Sequence, residues 1–202
     1  MEESRERGVA VLEAAAWLAV LLPVAVLGAS LCLQLYNQRT VAVIPEAVLR
    51  EARSPVLRWG SDGDQGAFSI AHSEMRETAA ALAARALEEA RTSLVSVKDL
   101  SVRACCWTLT IDQRSGAANG VEAQECVSNG TIPTSPVLDA ALSRASKTKL
   151  GVPLEVAEGH EPEFVSRALV FGVALGARFV GPGTATTITQ AHISYPRQEI
   201  SL

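Results

Sequence analysis

From Val9 to Leu35 the chain reads as one apolar run, "VAVLEAAAWLAVLLPVAVLGASLCLQL", interrupted by a single charge, Glu13. As a helix, at about 1.5 Å per residue, this run is roughly 40 Å long. The hydrocarbon core of a bilayer is only about 30 Å thick. The segment is therefore long enough to span a membrane and still project a turn or two beyond it. Pro23 lies in its middle and predicts a kink. An ionisable group within such a segment costs on the order of 3 kcal/mol by insertion scales. Glu13 should accordingly have a partner or a role.

A cleaved secretory signal would also begin with basic residues, and Arg5 and Arg7 precede the run. Its apolar core would be shorter, however, and free of glutamate. A lipoprotein signal would place a small residue before its cysteine, whereas Leu31 precedes Cys32. Orientation is less constrained by charge, because Arg39, Arg50 and Arg53 follow the span. We expect the N-terminus inside, with the larger, cysteine-bearing part in an oxidising compartment.

The remaining chain is sufficient for one modest domain in a protein of 202 residues. A formal net charge of -4 with no basic, aromatic-interleaved stripe argues against a nucleic-acid partner. Residues 37–53 continue the anchor as a helix, with Val41, Ile44, Val48 and Leu49 at helical spacing, and Pro45 as a point of kinking or restart. "RSPVLRWGSDGDQGAFS" is dense in turn formers and reads as a loop, in which Trp59 covers a core edge or makes a contact. A second helix is predicted at about 72–92, with Met75, Ala79, Leu82, Ala86, Leu87 and Ala90 on one side.

The period then changes. Residues 94–112 alternate as a strand, "QRSGAANG" is a turn, and "VEAQECVS" is the returning strand of a hairpin. A short helix follows at about 136–147. "FVSRALVFGVALGARF" alternates as a strand, although Gly172 and Gly176 would also suit a small-residue helix face. A last strand is expected at 184–195. The fold class is α+β: a long N-terminal transmembrane helix, then a small domain with a second helix on an antiparallel sheet.

Four cysteines are present. Cys32 lies in the apolar run as a small buried thiol. In the hairpin, Trp107, Leu109 and Ile111 mark one face of the first strand, and Val121, Ala123 and Val127 the core face of the second. By parity Cys106 and Cys126 share the outer face and are expected to form a disulfide, with Cys105 inward and free. The cysteines lack C-x-x-C spacing and the three histidines are scattered, so no metal site is expected. No nucleophile elbow, phosphate loop or H-E-x-x-H sequence is present. Neither a catalytic residue nor a cofactor is expected, and the chain does not read as an enzyme.

A short charged leader ending in Gly8, with Glu13 the fifth residue after it and a long apolar helix at once, resembles the class III signal of type IV pilins and pseudopilins. Within that group, "RGVAVLEAAAWLAVLLPVAVLGASLCLQLYN" is similar to the TadE/TadF minor pilin-like proteins of tight-adherence pili. The similarity covers residues 5–36 and extends to about 53 through "VAVIPEAVLREAR"; "GPGTATTITQAHISYPRQE" is fainter. Ala14 follows Glu13 where those pilins commonly carry an aromatic residue.

The resemblance implies a pilin-like fold and a prepilin peptidase that cuts between Gly8 and Val9. It divides the chain into a cytoplasmic leader (1–8), a transmembrane helix (9–35), a helix extension (36–53) and a periplasmic domain (54–202). It implies partners among other pilin-like subunits and inner-membrane assembly proteins, reached through the transmembrane helix. Glu13 would then pair with the new α-amino group of a neighbouring Val9. The alternative is an unprocessed single-pass membrane protein whose outer domain binds a partner, with Glu13 merely favouring the helix dipole.

Overall fold

In this computed structural model, side chains are described for residues 12–52, 72–110, 120–145, 169–180 and 185–194, and backbone alone for the element ends beyond them. The first helix, α1, runs from Glu2 to Arg50 as one element through both Pro23 and Pro45. No restart occurs at Pro45, whose ring is fully buried among the core side chains. Loss of one main-chain hydrogen bond there is offset by packing.

Past this helix, α2 (His72–Ser93) and α3 (Ser135–Ser146) pack on four long strands. We number these β1 (Val97–Ile111), β2 (Ala118–Asn129), β3 (Ser166–Gly181) and β4 (Thr184–Ser194). They form one antiparallel sheet in the order β2-β1-β3-β4. The architecture is the α+β fold expected, with the ambiguous segment 166–181 a strand at the sheet centre. A second, small sheet pairs Leu57–Trp59 with Phe68–Ser69 and with Ile200–Ser201, where the turn-rich composition predicted only loop.

Both faces of the main sheet are covered, and this decides its chemistry. One face carries Val102, Ala104, Cys106, Phe171, Val173 and Leu175 against the domain half of α1 and the apolar side of α2. That side of α2 holds all six predicted residues, from Met75 to Ala90, and Ala83 besides. The other face carries Cys105, Trp107, Leu109, Val170 and Ala174 beneath Leu138 of α3, with Leu142 one helical turn further along. Fully burying a side chain the size of leucine or phenylalanine contributes about 1.5–3 kcal/mol, so both layers are substantial.

Gly172 shows how tightly the α3 face is packed. An added Cβ there would lie 2.5 Å and 2.6 Å from ring carbons of Trp107 and 2.9 Å from a methyl of Leu138. Gly172 is a strand residue on which the indole of Trp107 and Leu138 of α3 both lie, not part of a small-residue helix face.

Two-sided burial also corrects the cysteine pairing. The disulfide joins Cys105 to Cys126, and Cys106 is the free, buried thiol. Cys105 lies directly opposite Cys126 in the β1–β2 ladder, with Cα atoms 4.1 Å apart, whereas Cys106 faces Glu125. Cys106 points to the α1/α2 side and Cys126 to the α3 side. Side-chain parity misassigns the pair because both faces of the sheet are buried, not one. The apolar set of β1 that contains Trp107 and the set of β2 that contains Ala123 and Val127 lie on opposite faces. A register shift between Thr108 and Leu109 further moves Val121 out of step with Ala123.

Candidate functional site

The feature that no packing within the domain explains is the outer half of α1. Leu12, Trp17, Leu18, Leu21, Leu22, Leu27, Leu31 and Leu35 are all exposed, on every side of the helix. A helix that is apolar all round belongs in an apolar surrounding. This one is long and apolar enough to cross a membrane, and its most apolar stretch is not buried against the rest of the chain. Among the described residues it is the one such helix, and the chain is a membrane protein anchored near its N-terminus.

Within the domain the same helix changes character. Asn37, Val41, Ile44, Val48 and Leu49 face inward and are buried. The switch is made at Asn37, which is only 2% exposed. Its side-chain amide donates to the carbonyl of Val95 at 2.9 Å and its carbonyl oxygen accepts from the Val95 N–H at 3.2 Å. One residue earlier, the Tyr36 hydroxyl donates to the carbonyl of Ser93 at 3.1 Å. The C-terminal end of α2 is thereby tied to α1 where the apolar run stops. Ser96, in the same connection, has a positive φ of 59°, a left-handed conformation uncommon for a non-glycine residue. Arg85 of α2 also forms an ion pair with Glu51, just past the end of α1. Asn37 and Tyr36 escaped the sequence reading. Their only signal is a tyrosine and an amide at the end of an apolar run, the amide being a side chain suited to pairing with backbone groups.

Glu13 is exposed on the projecting helix, four residues before Trp17. Gly8 and Val9 fall in the N-terminal stretch of α1, outside the residues whose side chains are described. Among the described residues no side chain is placed as a partner to Glu13.

Cys106 is fully buried, and burial pushes its thiol up to about 12. A thiol so held is neutral at physiological pH and a poor nucleophile. Among the described residues no group of three or more His, Cys, Asp or Glu side chains is placed to hold a metal. His72 and Glu125 form an exposed pair at 3.0 Å on the domain surface. No protein-family model, curated protein or solved structure matches the chain.

Proposed function

We propose that this chain is a pilin-like structural subunit of a bacterial tight-adherence pilus assembly or related secretion machine, matured by a prepilin peptidase that cuts after Gly8. The observation that carries the reading is the division of α1 into two halves without a linker. Its outer half is apolar and exposed, and its inner half is a core helix of the α+β domain. Such a helix transmits any lateral packing of the membrane segments directly to the domains. The leader that ends in Gly8, and Glu13 at its fixed spacing, add the processing and assembly signals.

The role is structural rather than catalytic. Maturation frees the α-amino group of Val9, positively charged below its pKa of about 8. That amine lies one helical turn from Glu13, so the two opposite charges are arranged to pair between neighbouring helices. The Cys105–Cys126 bond supports placing the domain in the periplasm, because such bonds persist in oxidising compartments. The N-terminus then faces the cytoplasm, where the peptidase acts. Partners are other pilin-like subunits and inner-membrane assembly proteins.

The test is the mature N-terminus of protein extracted from native membranes. Sequence beginning at Val9 is expected. An intact Met1 would leave a single-pass membrane protein with a partner-binding periplasmic domain, and a cut near Ala29 would make the segment a secretory signal.

A further inference from the structure

The apolar surface does not end with the helix. Where α1 enters the domain, Tyr36 is 50% exposed, Val95 47% and Val180 56%. They come from three elements: α1, the α2–β1 connection, and the end of β3. Main-chain and amide hydrogen bonds hold them together, since Asn37 grips Val95 and the Val180 N–H donates to the carbonyl of Ser96 at 3.5 Å. Leu35 before this level is exposed and apolar, and Gln38 and Arg39 after it are polar. A shoulder of the domain thus presents valines at the height where the apolar helix stops.

A second observation fixes where a bilayer boundary would fall. Aromatic side chains with a polar tip favour the membrane–water interface. The aromatic residues of the described span are Trp17 and Tyr36. At 1.5 Å per residue they are about 29 Å apart along the helix, which matches a hydrocarbon core of about 30 Å. The boundary on the domain side therefore passes through Tyr36. The Asn37 clamp leaves no linker with which the domain could lift away.

We infer that Tyr36, Val95 and Val180 form a seat that rests on the lipid surface, at the boundary between headgroups and acyl chains, and sets the tilt of the domain on the membrane. The inference rests on the single-pass reading. The occupant is lipid because the seat is continuous with the lipid-facing helix, and it is apolar, so no anionic headgroup is required.

The test uses the full chain with Cys32→Ser, one chain per phosphatidylcholine nanodisc, with the Cys105–Cys126 bond verified by mass. Single spin labels at Leu22→Cys, Val95→Cys, Val180→Cys and Val121→Cys are compared by power saturation with oxygen and with a water-soluble nickel chelate. Val121 is exposed and pairs with Leu109, towards the opposite end of β1. Labels at 95 and 180 are expected to lose nickel collisions relative to 121 and to gain oxygen collisions, with 22 reporting the acyl core. If 22 is in the acyl core while 95 and 180 match 121, the seat is wrong and the span stands. If 22 is aqueous, both fall. In a parallel set of discs loaded with two chains, protection from both relaxants at 95 and 180 would mean that a second copy covers the shoulder, and would also overturn the lipid seat.

Discussion

Removing the cross-strand disulfide offers a quantitative test of how the sheet is built. Cys105 and Cys126 are 21 residues apart in sequence. In the chain-entropy model, closing a loop of that length stabilises the folded state by about 3.3 kcal/mol. Cys105 is almost fully buried under α3, so its truncation adds a smaller packing loss of about 1 kcal/mol. The double variant Cys105→Ala/Cys126→Ala should therefore lose about 4 kcal/mol. With a guanidinium slope of about 2–6 kcal/mol/M, the unfolding midpoint of the domain in detergent-solubilised protein should fall by roughly 1 M. Near-ultraviolet circular dichroism, to which the buried Trp107 contributes, reports the transition. Two single variants test the geometry. Cys106→Ala should retain the bond, and Cys105→Ala should leave Cys126 a free thiol, because Cys106 points through the opposite face. A Cys106–Cys126 bond in the Cys105→Ala protein, mapped by non-reducing peptide mass, would refute the two-faced sheet. An unchanged midpoint in the double variant would refute the loop-entropy argument.

Gly172→Ala should cost about 1–3 kcal/mol in the same unfolding measurement, since neither the indole of Trp107 nor Leu138 has room for the new methyl. The Cys106 thiol, with a pKa near 12 when folded against 9.0 as its ordinary value, makes stability depend on alkali. Its contribution is complete below pH 9 and is lost as pH rises from 9 towards 12, because the unfolded chain ionises first. The loss should be about 1.4 kcal/mol by pH 10, and Cys106→Ala should abolish that part of the pH dependence in urea titrations. Glu13→Ala should be cleaved and inserted as the parent is, yet fail to assemble pili. Pili at parental levels, counted by electron microscopy, would dismiss the interchain pairing.

The parts of the fold legible in the sequence are those with one dominant environment. The outer half of α1 sees a single apolar surrounding, so composition alone reveals it. The face of α2 sees one core, so its period of 3.6 names Met75, Ala79, Leu82, Ala86, Leu87 and Ala90 correctly. The hairpin is legible in its turn and its β-branched residues, but its faces are not. A strand with both sides covered has no polar side by which parity can be set, and Cys105 and Cys106 are both buried. The shift at Thr108/Leu109 then breaks the count without any glycine or proline to signal it. Pairing of Leu57–Trp59 with Ile200–Ser201 is a contact between distant parts of the chain, invisible to any local window. The Asn37 clamp was missed for a related reason. Its value lies in Val95, 58 positions away.

The proposed membrane placement changes what Glu13 has to overcome. With Trp17 at the inner boundary, Glu13 lies four residues, or about 6 Å, outside it. The carboxylate is then among headgroups in the single subunit, and the insertion penalty of about 3 kcal/mol for a group at the bilayer centre does not apply to it. A slip of the helix by one turn towards the domain side, about 5.4 Å, would bring Glu13 to the hydrocarbon boundary and lift Val95 and Val180 off the lipid. A slip the other way would press Asn37, Gln38 and Arg39 towards the acyl chains. Two restraints at opposite ends of one rigid helix, a charge and an apolar shoulder, thus select the same depth. In the proposed assembly, subunits held at a common depth would present Glu13 and the Val9 amine at a common height. In that register an interchain ion pair forms without vertical adjustment; once side-by-side helix packing shuts both charges off from the headgroups, any other register leaves one of them buried alone, at a penalty of roughly 3–5 kcal/mol. On this account Glu13 acts on how subunits align and not on whether one subunit enters the membrane.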